Sequence, residues 1–379
     1  MEIAPFSLEQ YFARYEFEVP YNLCASDCES VTIGELLQLA DISLSDFSTL
    51  QLGYTESQGH PELRAAIAAL YEQVDSEAVV FLAAPEEGIY LTMRTLLEPG
   101  DGVIVLTPAY DSLFNVAAHI CGEENVQAWP IVPGEEAGWA LDLDALERLL
   151  TPQTRLLVVN FPHNPTGYLP DRERFETLVE MARRQDIWLF SDEMYRGLEY
   201  DEHDRLPSAA DRYERAITLA GLSKVHGLPG LRAGWLVVHD DALRERLINW
   251  KHYTTICAAA PSELLALAGL AAQPQLVARN LNIINGNLLA ADAFFARWPD
   301  HFRWRPPHAG TVALVGVNTS SATAYCERLV RRAGVLLLPG PYLGSDDQHV
   351  RLGFGRADFA YNLRQYENYL QEEMREQEL

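Results

Sequence analysis

The sequence predicts an α/β fold, with a mostly parallel seven-stranded sheet in a large domain and a smaller α+β domain beside it. Two observations carry this. Between residues 79 and 238, seven short apolar runs alternate with helical patterns. Runs with no polar face need helices on both sides of the sheet, which is the signature of parallel strands. After about residue 270 the order changes to long helices mixed with isolated strands. The expected division is residues 1–50 as an N-terminal arm and part of the small domain, 51–270 as the large domain, and 271–379 as the C-terminal small domain. A chain of 379 residues can bury two cores.

The elements follow in order. Ser7 to Tyr15 is amphipathic, with Ser7 as its expected cap and Phe6, Leu8 and Phe12 as its packing face. A polar loop from Tyr21 to Ser30 leads to a helix from Thr32 to Leu39. The glycine-bounded loop 53–60 precedes a helix that Pro61 starts in its first turn and that runs to about Tyr71. Strands are expected at Val79–Leu82, Val103–Leu106, Gln127–Ile131, Leu156–Val159, Ile187–Phe190, Ile217–Ala220 and Trp235–Val238. Helices are expected between them at Glu86–Leu97, Tyr110–Ala118, Leu143–Leu150 and Arg172–Arg184. Beyond these come a long helix (Leu276–Trp298), a strand (Thr311–Val315), a helix (Ala322–Ala333), and strands at Val335–Leu338 and His349–Phe354. The charged tail from Glu372 is expected to fray.

Charge narrows the function. A net charge of −25 argues against nucleic acid and anionic membranes, which both need basic surface. The start, Met1-Glu2-Ile3-Ala4-Pro5, has no basic region or long apolar run, so no signal peptide is expected. The most apolar helical pattern, Ala258–Ala272, is interrupted by Pro261 and Glu263, so no membrane span is expected. Five scattered cysteines suit a reducing cytoplasm. Cys24 and Cys28 lack a second pair at zinc spacing, so no metal site is expected.

The chemistry gathers at strand ends, where α/β sheets bind ligands. Lys224 follows the strand Ile217–Ala220 and is one of only two lysines, the other being Lys251. A strand-end lysine often just extends to water. An amine can also form a Schiff base, which a guanidinium cannot. Asp192 ends another strand, with Glu193 and Tyr195 beyond it. Asn160 and Asn164 follow a third strand, and Tyr110 lies after a fourth. The loop Ala83–Gly88 opens a helix whose N–H groups suit a phosphate. Arg232 stands eight residues past Lys224. Together these suit a pyridine ring that carries an aldehyde and a phosphate. Such a ligand needs an amine, an acid for its ring nitrogen, an aromatic face and an anion cradle.

At these residues the chain resembles the aminotransferase class I/II family, fold type I enzymes that use pyridoxal 5′-phosphate (PLP). The segments that carry the resemblance are Asn164-Pro165-Thr166-Gly167, Ser191-Asp192-Glu193-Met194-Tyr195, Ser223-Lys224 with Arg232-Ala233-Gly234-Trp235, and Arg351-Leu352-Gly353-Phe354. The resemblance implies roles. Lys224 forms the Schiff base and Asp192 pairs with the ring nitrogen. Asn164 and Tyr195 bond the phenolic oxygen, and Tyr110 stacks on the ring. Ser223, Arg232 and the turn Ala84-Pro85-Glu86 hold the phosphate. Tyr54 reaches the phosphate of a neighbouring subunit, which implies a homodimer. Arg351 clamps the substrate α-carboxylate, beside Asn164. Two positions depart from the family pattern: Pro85 has no N–H to offer, and Gly221 stands where many relatives place a phosphate-binding serine.

The resemblance implies an aminotransferase that acts on an L-amino acid and a 2-oxo acid. A second reading is a PLP lyase or cyclase. The segments Asn160–Pro165 and Leu222–Arg232 are similar to PLP cyclases of the capreomycidine synthase type, which close a ring on a hydroxylated arginine. Under that reading Glu9, Asp27 or Glu29 could hold a guanidinium, or be solvated surface. A non-catalytic PLP-binding regulator would need a DNA-binding domain and basic surface, and the acidic charge opposes it. No second arginine is assigned to a side-chain carboxylate. His163, His226 and Tyr253 are candidates to line the site or merely to pack.

Overall fold

The computed structural model describes residues 3–134 and 138–377. The seven apolar runs form one sheet: β1 (Val79–Leu82), β2 (Gly102–Thr107), β3 (Val126–Pro130), β4 (Thr154–Asn160), β5 (Trp188–Asp192), β6 (Ala216–Gly221) and β7 (Gly234–Val238). Their spatial order is β1-β7-β6-β5-β4-β2-β3. Strand β7 runs antiparallel to both its neighbours, and every other pairing is parallel. Side chains of a strand alternate between faces, so two cores form. Val105, Val158, Phe190 and Leu219 face one cluster, with the helices Pro85–Leu96 and Asp111–Cys121. Ile104, Leu157, Val159 and Leu189 face the other, with the helix Arg172–Arg184.

The register lines up the functional ends. Asn160 of β4 lies beside Asp192 of β5, and Asp192 beside Leu219 of β6. The last residues of three adjacent parallel strands therefore open on one edge of the sheet.

A second, antiparallel sheet of four strands has the order Phe302–Arg303, Val312–Val317, His349–Gly353, Leu338–Pro339. Arg351 sits on an inner strand, between Leu314 and Leu338. The expected single strand Val335–Leu338 divides at Leu337. Val335–Leu336 pairs in parallel with Tyr21–Asn22, while Leu338–Pro339 joins the larger sheet. This pairing holds the N-terminal arm against the C-terminal part of the chain.

Two expectations need correction, and one element is additional. Ser7 is not a cap: the helix Ser7–Tyr15 is preceded by Phe6, and the Ser7 hydroxyl instead donates to Asp111 at 2.8 Å. The tail does not fray at Glu372, because a helix runs from Phe359 to Gln377. Arg328 donates to Glu373 at 3.1 Å and Arg332 to Glu376 at 2.6 Å, and the charged tail thereby finds its counter-ions on the Ala322–Ala333 helix. A short helix at Leu44–Ser48, capped by Ser43, was not expected. No helix among the described residues is long and apolar enough to cross a membrane.

Candidate active site

A cavity of about 410 Å³ opens where the ends of β4, β5 and β6 meet the small sheet and the N-terminal arm. Lys224, Asp192, Asn164, Tyr195, Ser223, Arg232 and Arg351 all line it. So do Tyr110, Pro85, Glu86 and Glu9. Residues far apart in sequence thus share one space, as their chain order suggested.

Asp192 ends β5 and is 8 % exposed. One carboxylate oxygen accepts the Met194 N–H at 3.0 Å. Burial pushes its carboxyl up to about 7, against the weaker pull of that N–H and of Lys224. It makes no ion pair among the described residues. A buried acid with no cation of its own is the partner a protonated ring nitrogen requires. Glu193, the next residue, turns the other way. Its carboxylate accepts from Ser191, Ser208 and the Ala209 N–H, deep in the protein. The acidic pair at the strand end therefore divides into one site residue and one structural residue.

Lys224 extends its amine into the cavity, where Nζ donates to Ser26 Oγ at 2.8 Å. Arg351 is 2 % exposed. Its Nη1 donates to Asn164 Oδ1 at 3.2 Å and its Nη2 to the Cys24 carbonyl at 2.9 Å. Its Nε is buried with no partner among the described residues. A guanidinium held at two corners, with its Nε–H and one N–H on each Nη unpaired among the described residues, is poised for an anion. Asn164 is itself fixed, its N–H donating to Asn160 Oδ1 at 2.7 Å.

Arg232 occupies the left-handed region (φ 51°, ψ 53°), an unusual conformation for a residue with a side chain. That turn directs an exposed guanidinium to the cavity, and Nη1 donates only to the Pro229 carbonyl, at 3.0 Å. The helix Pro85–Leu96 points its N-terminus at the same space, the usual setting for an anion.

The two departures from the family pattern prove to be one. A Cβ on Gly221 would stand 2.9 Å from Pro85 Cγ and 2.9 Å from the Ala233 carbonyl oxygen. A Cβ on Gly234 would stand 2.8 Å from Pro85 Cγ. The proline ring fills the space that side chains at both glycines would take. A serine at 221 would crowd both the Pro85 ring and the Ala233 carbonyl.

Other expected residues lie differently. Asp27 does not line the cavity: its carboxylate is paired with Arg356 at 2.8 and 3.2 Å, so the chain already supplies its guanidinium. Glu29 accepts the Ala357 N–H outside the cavity. Ala84 precedes the Pro85–Leu96 helix but does not line the space. Tyr54 is 92 % exposed and does not line this chain's own cavity, where the resemblance does not place it either. Tyr195 lines the cavity, and its hydroxyl donates to the Ser26 carbonyl at 3.0 Å. His163 and His226 are buried beside Thr166 and Gln273, and Tyr253 is exposed, so none of the three lines the cavity. Burial pushes the Cys24 and Cys28 thiols up to about 12, which makes them poor metal ligands.

Two cavity residues carry more than the sequence suggested. Glu86 was expected to offer its backbone. Its side chain also faces the cavity, accepting from Ser112 Oγ at 3.1 Å. Burial pushes its carboxyl up to about 7, and the nearby Glu9 adds to the shift. Ser26 was missed altogether, because a serine in a polar loop has no periodicity or motif to mark it.

The residues present fit pyridoxal 5′-phosphate: an amine, a buried acid lacking a cation, an aromatic ring, and two unsatisfied guanidinium groups around one space. Comparison with known proteins agrees. Residues 22–361 match the aminotransferase class I and II family. The chain is 33 % identical to capreomycidine synthase of Streptomyces vinaceus over 92 % of this chain and 88 % of that one. It is 31 % identical to the arginine–pyruvate transaminase AruH of Pseudomonas aeruginosa, over 79 % of this chain and 77 % of that one. Among solved structures, the PLP-dependent cyclase OrfR superposes with a TM-score of 0.90 at 26 % identity, covering 98 % of both chains.

Two outcomes are expected. A folded-state value of about 7 for Asp192 lies above its ordinary 3.8, so its contribution to stability is full below pH 4 and is lost as pH rises through 7. The cofactor-free protein should therefore melt lower at pH 8 than at pH 5. In Asp192→Asn that difference should shrink, by about 3 kcal/mol at most. Melting curves at the two pH values read this directly. Gly221→Ser should destabilise by about 1–3 kcal/mol through overpacking. Adding Pro85→Ala should recover part of that loss, which denaturant unfolding of the single and double variants measures.

Proposed function

The chain belongs to the aminotransferase class I and II family, and we propose that it is a PLP-dependent aminotransferase for an L-amino acid with a cationic, arginine-like side chain. One arrangement carries this reading: Lys224, Asp192 and the spare donors of Arg351 share a cavity whose remaining acids, Glu9 and Glu86, form no ion pair among the described residues. Arg351 takes the substrate α-carboxylate, its bidentate fork already steadied by Asn164 and the Cys24 carbonyl. Glu9 and Glu86 face the side chain, where a guanidinium meets two carboxylates instead of water. The name of the arginine–pyruvate transaminase relative supports the same class of substrate.

When bound, PLP supplies an electron sink for the charge that develops at the substrate Cα. The protein's part is to hold and to move protons. Asp192 stays an anion once a ring-nitrogen cation faces it, because the opposite charge offsets its desolvation. Tyr195 and Asn164 flank the space with polar groups whose positions are fixed by Ser26 and Asn160. Arg232, Ser223 and the first turn of the Pro85–Leu96 helix hold the phosphate. Lys224 removes the α-proton as general base, a role worth about 10²–10⁴-fold in rate. Where Lys224 next releases that proton would decide whether amino-group exchange with a 2-oxo acid follows.

A second reading, a lyase or cyclase acting on arginine or a hydroxyarginine, is favoured by the 33 % identity to capreomycidine synthase and the likeness to OrfR. Both readings share the residues that free the α-proton, so the fate of the amino nitrogen separates them. With α-¹⁵N-labelled L-arginine or 3-hydroxyarginine and pyruvate, an aminotransferase moves the label into alanine. A cyclase or lyase leaves alanine unlabelled. Label in alanine is expected, and its absence alongside a labelled cyclic product would overturn the first reading. Lys224→Ala should keep its far-ultraviolet circular dichroism while losing the visible absorbance of bound cofactor. An unchanged spectrum would contradict the role given to Lys224.

A further inference from the structure

Ser26 sits in the loop that follows Tyr21–Asn22, and its carbonyl is held by two donors. Its carbonyl accepts from Tyr195 at 3.0 Å and from Thr311 Oγ1 at 2.7 Å. The flanking chain is pressed against the end of the small sheet. A Cβ on Gly353 would stand 1.8 Å from the Ala25 oxygen, and one on Gly355 would stand 2.1 Å from the Asp27 oxygen. The Gly353 N–H donates to the Leu23 carbonyl at 2.9 Å, and the Glu29 N–H to the Gly355 carbonyl at 2.7 Å. Glycine at 353 and 355 is what lets the loop lie this close. On the loop's side all of these ties use backbone atoms. The Ser26 hydroxyl is needed for none of them, and it points at Lys224, 198 residues away, accepting from Nζ at 2.8 Å.

We propose that Ser26 is a positioning residue for Lys224: its hydroxyl holds the amine in place whenever that amine is free to act as the base at the substrate Cα. Proton and charge balance without any net transfer to the serine. The neutral amine takes the Cα proton and becomes an ammonium, one N–H of which donates to Ser26 Oγ throughout. The hydroxyl thereby limits where the other two N–H groups point, and so which atom receives the proton next. A mobile lysine on a four-carbon stem would lose that direction, and small misplacements of a catalytic group carry large rate losses. The proposal rests on Lys224 acting at Cα. It holds equally for amino-group exchange and for cyclisation, since both begin with that proton.

The chain has two lysines, which makes the test direct. In cofactor-free protein labelled with [ζ-¹⁵N]lysine, a Nζ resonance is seen only where a held hydrogen bond slows exchange with water. Lys251, fully buried with its Nζ on Thr255 Oγ1 at 3.0 Å, is the internal control. Ser26→Ala keeps every backbone tie, so its melting temperature and the Lys251 signal should match the wild type while the Lys224 signal broadens or vanishes. In the loaded enzyme, Ser26→Ala should slow deuterium entry at Cα of L-arginine about tenfold or more with KM changed less than about twofold. Ser26→Thr, which retains the hydroxyl, should recover most of the exchange. A Lys224 signal and a Cα exchange rate both unchanged in Ser26→Ala would overturn the proposal. Cα exchange that survives in Lys224→Ala would instead overturn the base assignment, and the amine signal would still report on Ser26.

Discussion

A carboxylate that is nearly out of water and makes no ion pair among the described residues governs this molecule. Asp192 is carried there by a strand buried along its whole length, between two other parallel strands. Removing a charge from water is costly unless an opposite charge replaces the solvent. The chain spends its nearby cations elsewhere. Arg196 lies toward Glu193, Arg356 pairs with Asp27, and Lys224 hydrogen-bonds Ser26. A ligand that brings a cation would offset this cost, and PLP, with a ring nitrogen that can be protonated, would supply one.

The N-terminal arm completes the site. The parallel pairing of Tyr21–Asn22 with Val335–Leu336 sets the register of the loop that follows. That loop lends its Cys24 carbonyl to Arg351, its Ser26 carbonyl to Tyr195 and Thr311, and its Ser26 hydroxyl to Lys224. One short segment thus touches the residue that would take the α-carboxylate and the residue that would move the α-proton. The helix Ser7–Tyr15 adds Glu9, which accepts from the Tyr110 hydroxyl at 2.8 Å and brings an acid to the cavity rim. Motion of this arm would change binding and proton transfer together.

What the sequence made legible was what is local. The seven strands could be read because each is a continuous apolar run between turn signals, and Asp192, Asn164 and Lys224 because each follows such a run. Long-range geometry was less accessible. Nothing in the loop 22–30 marks Ser26, whose importance depends on where residues 195, 224 and 311 arrive. Asp27 read as a free acid until Arg356, over three hundred residues on, was seen to hold it. The tail read as frayed because its charges look solvated in sequence, whereas Arg328 and Arg332 of a facing helix partner them. Pro85 and Gly221 each looked like an isolated departure, and only their contact reveals one exchange of volume.

The central claim, that Lys224 carries the cofactor, is open to one direct measurement. The PLP-loaded protein is reduced with borohydride, digested, and mapped by mass spectrometry. With two lysines in the chain, the phosphopyridoxyl mass can fall on Lys224, on Lys251, or on neither. The expected result is a single modified peptide containing Ser223-Lys224. Modification of Lys251 instead, or no modified lysine in a protein that has retained PLP, would contradict it.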